Sequence, residues 1–100
     1  MSAYRVYTRP EAWRALKELP GHLRQRLRRA IDDLSHEPRP SQSKRLDLPD
    51  ATLEVRRLRM DRWRVIYMVD ENEHAIDVLG LRKRPPYDYG DLAGLLSHEL

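Results

Sequence analysis

The chain has 100 residues, 40% of them hydrophobic and 35% charged, enough for one modest core beneath a heavily ionic surface. It has no cysteine, which excludes disulfides and thiolate chemistry, and its four histidines (His22, His36, His74 and His98) lack the spacing of metal ligands, so neither metal nor other cofactor is expected. The formal charge is only +3, yet arginine far outnumbers lysine and the isoelectric point lies near 9.5, which makes an anionic partner the expectation: nucleic acid or an acidic protein segment.

The length fits a single domain over residues 1–100. The longest apolar run, about residues 65–69, is far too short to span a bilayer, and the opening MSAYRVYTRP has no apolar stretch of the kind a secretion signal needs. A cytoplasmic protein without a membrane partner is therefore expected.

In chain order, AYRVY at residues 3–7 alternates as a first strand. Thr8 and Glu11, with Pro10 between them, have the spacing of a capping box ahead of a helix over residues 9–19, which the Pro20-Gly21 pair stops. Trp13 and Leu16 lie on its buried face. Leu23, Leu27, Ala30, Ile31 and Leu34 then form one stripe of an amphipathic helix over residues 22–36, with Arg24, Arg26, Arg28, Asp32 and Asp33 off the stripe. The two helices make an antiparallel hairpin.

Residues 37–52 are rich in Pro, Ser and Asp and read as a long loop that either holds an ordered turn around residues 44–48 or lines a functional surface. From Leu53 the period becomes two, giving strands over residues 53–59, 63–69 and 75–83 joined by short turns. The fold class expected is α+β: a helical hairpin on one face of a mostly antiparallel four-stranded sheet, ordered strand-helix-helix-strand-strand-strand. A short helix from about Asp91 can follow.

The segment RRLRMDRWRVIY, residues 56–67, runs five arginines through a strand pair. Guanidinium groups do not enter a core without partners. Trp63, Val65, Tyr67 and Val69 share one face and should pack under the helices, which turns Arg64 to the opposite, uncovered face. Leu53 and Val55 differ in parity from Leu58 and Met60, and a β-bulge at Arg56-Arg57 would repair the alternation. Arg57, Arg64, Arg82 and Arg84, converging beside Tyr87 and Tyr89, would then make an anion site.

These residues resemble the RelE/ParE superfamily of toxins from bacterial toxin-antitoxin systems, on its RelE-like branch. The likeness extends over nearly the whole chain and is densest where Leu58-Arg59 and a turn lead into Trp63-Arg64-Val65-Ile66-Tyr67, and where Leu79-Gly80-Leu81-Arg82-Lys83-Arg84 is followed by Tyr87. The resemblance implies a metal-independent endoribonuclease that cuts mRNA in the ribosomal A site, through attack of a ribose 2′-hydroxyl on the adjacent phosphate. It also implies a cognate antitoxin and a higher-order toxin-antitoxin complex.

Carried over by position, Arg64 matches the arginine that stabilises the transition state, and Arg82 or Arg84 the residue that serves the leaving group. Tyr87, with Tyr89 as substitute, matches the tyrosine that orients the cleaved nucleotide. Arg57 matches one lysine of a basic pair whose companion falls on Val55, or on Glu54 if the strand bulges. Arginine is a poor general base at neutral pH, which makes Glu54 the candidate for that task. Arg56, Arg59, Lys83, Lys44 and Arg45 are further candidates for RNA contact. The ParE-like branch of the same superfamily instead poisons DNA gyrase through protein contacts, and an inactive antitoxin-binding module is the third possibility.

Overall fold

The computed structural model describes residues 3–83. Strand β1 (Arg5–Thr8) leads into helices α1 (Pro10–Lys17) and α2 (Gly21–Asp33). After a connecting segment come β2 (Ser43–Arg45), β3 (Glu54–Met60), β4 (Trp63–Asp70) and β5 (Ala75–Lys83). The sheet order is β1-β5-β4-β3-β2, with β1 parallel to β5 and every other neighbour antiparallel. The architecture is the expected α+β one, with five strands instead of four. The added strand is Ser-Lys-Arg at the sheet edge, too short and too polar to show a period of two.

Pro10 opens α1 at a position whose missing N–H costs nothing. The expected capping box does not form: Thr8 closes β1, Arg9 is the N-cap, and no side chain caps the helix. Arg9 instead holds Asp77 on β5 through two nitrogens, with Nε 3.1 Å from Oδ1 and Nη2 2.7 Å from Oδ2. The charged fork thus fixes where the chain leaves the sheet for the helix.

The helices cover one face. Leu16, Leu27, Ile31 and Leu34 pack with Val65, Tyr67, Val69, Ile76 and Val78 in the main core, and Trp13 is half-buried at its edge. The opposite face carries a second, smaller core of Val55, Ile66, Met68 and Leu79, with Leu46, Leu48, Ala51 and Leu53 folded over it. That face is therefore not bare along its whole length, as the sequence suggested; the 46–53 segment closes the half nearer the β4–β5 turn.

Two cores also explain the parity change in β3. The β3–β4 register runs unbroken from Glu54↔Val69 to Met60↔Trp63, so no bulge lies at Arg56-Arg57. Val55 serves the small core while Leu58 and Met60 face the large one. The irregularity lies in the β4–β5 pairing, between Ile66 and Tyr67, where Ile66 pairs Gly80 and Tyr67 pairs Val78. Leu79 is the extra residue, and the shift lets Val78 and Leu81 both face the helices.

Candidate functional site

Cross-strand partners on neighbouring strands share a face, so the register sorts the basic residues without further assumption. Arg59 pairs Arg64, and Arg64 pairs Arg82, which sets three arginines in a row across β3, β4 and β5. Lys44 pairs Arg57 one step away, on the same face. All five lie opposite the helices, at the end of the sheet near the β3–β4 turn. Like charges set directly across a sheet repel one another, and an anion bound among them would offset that repulsion.

The members of the row differ in exposure. Arg59 and Lys44 are exposed and Arg57 is half-buried. Arg64 is 3% exposed, and its Nη1 donates to the backbone carbonyls of Asp61 and Trp63, both at 2.9 Å. Its side chain thus braces the two-residue turn in which Asp61 takes a positive φ of 53°, a conformation that Asp tolerates better than most residues. Arg82 is half-buried, donates from Nη1 to the Leu81 carbonyl at 2.9 Å, and has Nη2 3.9 Å from the Glu11 carboxylate.

Beside the row, Ser41, Gln42, Ser43, Lys44, Arg57, Arg59 and Asp61 line an open groove of about 580 Å³. One wall is the segment leading into β2, and polar bonds hold that wall in place. The Tyr67 hydroxyl donates to the Pro38 carbonyl at 2.7 Å, Ser43 Oγ donates to Pro40 at 2.8 Å, and Arg56 donates to Ser43 Oγ from two nitrogens. Burial pushes the Tyr67 phenol up, so it remains a donor throughout the neutral range. Sequence reading missed Ser41 and Gln42, because an edge strand this short gave no register from which to place them.

Glu54 falls elsewhere. Its register partner is Val69, so it lies on the helix side of the sheet, away from Arg57 and Arg64. Arg39 binds it at 2.8 Å and Arg56 at 2.7 Å, and Arg39 also reaches Glu71 at 2.8 Å. These bonds, first those from Arg39, hold the Glu54 carboxyl below its usual range. A carboxylate held in this way, on the wrong face, is not the base for a reaction at the row. Arg56, Arg45 and Lys83 also fall out of the group, since their register partners put them on the helix-side parity. Arg84, Tyr87, Tyr89 and the helix expected from Asp91 lie outside the described residues.

Glu54 is instead a structural anchor, which has a pH consequence. Its folded pKa is depressed, as is that of Glu71, so the stability it contributes is complete above the ordinary carboxylate value and is lost as pH falls through the lowered one. Glu54→Gln should therefore melt below the unmodified chain at pH 7 and lose less of its melting temperature on acidification below pH 4. Thermal melts across that range check both differences.

Among the described residues no cluster of His, Cys, Asp or Glu could hold a metal ion, and no helix is long and apolar enough to cross a membrane. The family described as ParE toxin of type II toxin-antitoxin system, parDE, matches residues 6–85. No curated protein sequence matches the chain. Among solved structures, the archaeal RelE of Pyrococcus horikoshii, determined with RelB, is 30% identical over 85% of this chain and 99% of its own, with a TM-score of 0.75. The toxin-antitoxin complex RelBE2 of Mycobacterium tuberculosis contains a chain 25% identical over 82% of this one and 99% of its own, with a TM-score of 0.69. The isolated RelE toxin of Escherichia coli, 17% identical over 98% of this chain and 100% of its own with a TM-score of 0.66, shares the fold. With a family match over most of its length and a relative of this similarity, the chain belongs to the RelE/ParE superfamily of toxins of type II toxin-antitoxin systems.

Proposed function

We propose that the chain is a metal-independent endoribonuclease that cuts mRNA in the ribosomal A site and so inhibits translation. The observation that carries this reading is the row Arg59, Arg64 and Arg82 on the face opposite the helices. In the reaction the ribose 2′-oxygen bonds to the adjacent phosphorus and loses its proton, while the bond to the leaving 5′-oxygen breaks. The products are a cyclic phosphate and a 5′-hydroxyl end. Charge grows on the phosphorane oxygens and then on the leaving oxygen, and guanidinium groups fixed in advance stabilise that charge more than they stabilise the substrate.

The proton on the 2′-hydroxyl goes to Lys44 in this reading. Glu54 is on the other face, Val55 is buried, and an arginine does not deprotonate at neutral pH. Lys44 is the cross-strand neighbour of Arg57, so the two stand as a basic pair drawn from adjacent strands instead of one strand. Lys44 serves as the general base in this reading, and water protonates the leaving oxygen once the arginines have taken its charge.

The neutralising partner in this reading is a small antitoxin that lays an acidic segment over the arginines, since the Pyrococcus and Mycobacterium relatives were both solved in toxin-antitoxin complexes. The match to ParE toxins favours a second reading, in which the chain inhibits DNA gyrase by protein contact and has no need of the arginine row. Primer extension on cellular mRNA after induced expression, run beside a gyrase supercoiling assay, separates the two. Cuts phased within codons with unchanged supercoiling support the nuclease; uncut mRNA with inhibited supercoiling overturns it.

A further inference from the structure

The groove beside the arginine row does not end at the edge of the sheet. The β2–β3 ladder ends at Ser43↔Leu58, one further backbone bond runs from the Arg59 N–H to the Gln42 carbonyl at 3.1 Å, and beyond Arg59 no strand is paired with β3 on that side. Gln42, Arg59 and Asp61 line the polar groove on the outer face and also line a second cavity, of about 340 Å³, between α2 and the end of β3. The two cavities thus share Gln42, Arg59 and Asp61 as common lining at the end of the strand.

Their linings differ in kind. The outer groove carries Lys44, Arg57 and Arg59. The inner cleft is lined by Ala30, Leu34, Leu58 and Met60, with the carboxylates of Asp33 and Glu37 at its sides, and the ion pair of Arg26 with Asp61 at 3.0 Å beside its mouth. A phosphate suits the first lining and is repelled by the second. A nucleobase suits the second: its faces are apolar, it is uncharged, and its exocyclic amine donates to carboxylates. The cleft volume is at the small end of ligand pockets, which fits a single base better than a larger group.

Resting on the nuclease reading above, we infer that the cleft between α2 and β3 receives one unstacked base of the RNA, next to the nucleotide whose phosphate lies on the arginine row, and prefers a base with an exocyclic amine. Gln42, at the junction of the two cavities, is then the residue around which the strand turns, and Asp33 and Glu37 set the base preference. Splaying a base into a side cleft also fixes the sugar-phosphate backbone beside it, which is what in-line attack requires.

The test measures binding of the whole chain to fluorescent single-stranded hexanucleotides with 2′-O-methyl riboses, which bind without being cut. Uniform cytosine and uniform uracil hexamers are compared for the unmodified chain, for Ala30→Leu, which fills the cleft, and for Asp33→Asn with Glu37→Gln. The expected result is that cytosine binds more tightly than uracil, and that Ala30→Leu weakens the cytosine hexamer by about tenfold and removes the preference. The dependence of affinity on salt stays the same, because the phosphate contacts are untouched. The carboxylate double variant should lose the preference while staying folded by thermal melt.

Equal affinities for cytosine and uracil, or an Ala30→Leu chain that binds RNA as the unmodified one does, overturn the cleft inference and leave the nuclease reading in place. A variant that keeps RNA binding but loses its antitoxin also overturns it, by giving the cleft to the protein partner. If the unmodified chain binds neither hexamer, the cleft inference fails, while the nuclease reading stands or falls on the primer extension.

Discussion

Arg64→Ala is expected to do two things at once: to slow RNA cutting by about 10²–10³-fold, the usual cost of removing one donor aimed at a transition-state oxyanion, and to lower the stability of the fold. The second effect follows from burial. Arg64 is 3% exposed and its Nη1 supports the carbonyls of Asp61 and Trp63, so truncation leaves those groups with fewer donors, at a cost of about 1–3 kcal/mol. From the sequence the same substitution should leave the fold intact, because the side chain was expected to stand on an open surface. The two effects separate experimentally. Cutting is measured well below the melting temperature of the variant, and the melting temperature is measured independently. Arg82→Ala is the companion, since it takes a guanidinium from the same row without touching the β3–β4 turn. It should lose activity with a smaller loss of stability. If Arg64→Ala cuts RNA normally once folded, the residue is a brace for the turn and the row is not the reaction site.

The strands around that turn were legible in the sequence because one face of each is buried under helices, and burial on one face writes a period of two. Arg64 could be placed opposite Trp63 and Val65 on that ground alone, and the register agrees. What could not be read was the far side of the sheet. Val55, Ile66, Met68 and Leu79 form a second core whose cover, Leu46 to Leu53, comes from a segment with no regular structure and hence no period. Without knowledge of that cover, the parity of Leu53 and Val55 looked like an error to be repaired by a bulge. The repair would have placed Glu54 beside Arg57. The actual bulge, at Leu79, falls in a strand that is apolar on both faces, where a slip in alternation leaves no mark. Glu54 was misplaced for a physical reason of the same kind: its partner Arg39, which also binds Glu71, lies outside the strands, and only the folded chain brings the three together.

With Glu54 removed from the site, the reaction depends on a residue that the strand pattern did not single out as a base, and Lys44→Arg tests it more sharply than Lys44→Ala. Both variants remove the only amine among the described residues on that face, but arginine keeps the positive charge and nearly the same reach. If Lys44 only attracts phosphate, the arginine variant should cut RNA about as well as the unmodified chain while the alanine variant binds more weakly. If Lys44 takes the 2′-hydroxyl proton, both variants should fall by about 10²–10⁴-fold in single-turnover cutting, the range lost when general base catalysis is removed. RNA affinity should then be retained in Lys44→Arg. The side chain is exposed and β2 is held by Arg56, Ser43 and Tyr67, so neither substitution should change stability by more than about 0.5 kcal/mol. Full activity in Lys44→Arg would leave electrostatic stabilisation by the arginine row as the main source of the rate, with solvent as the proton acceptor.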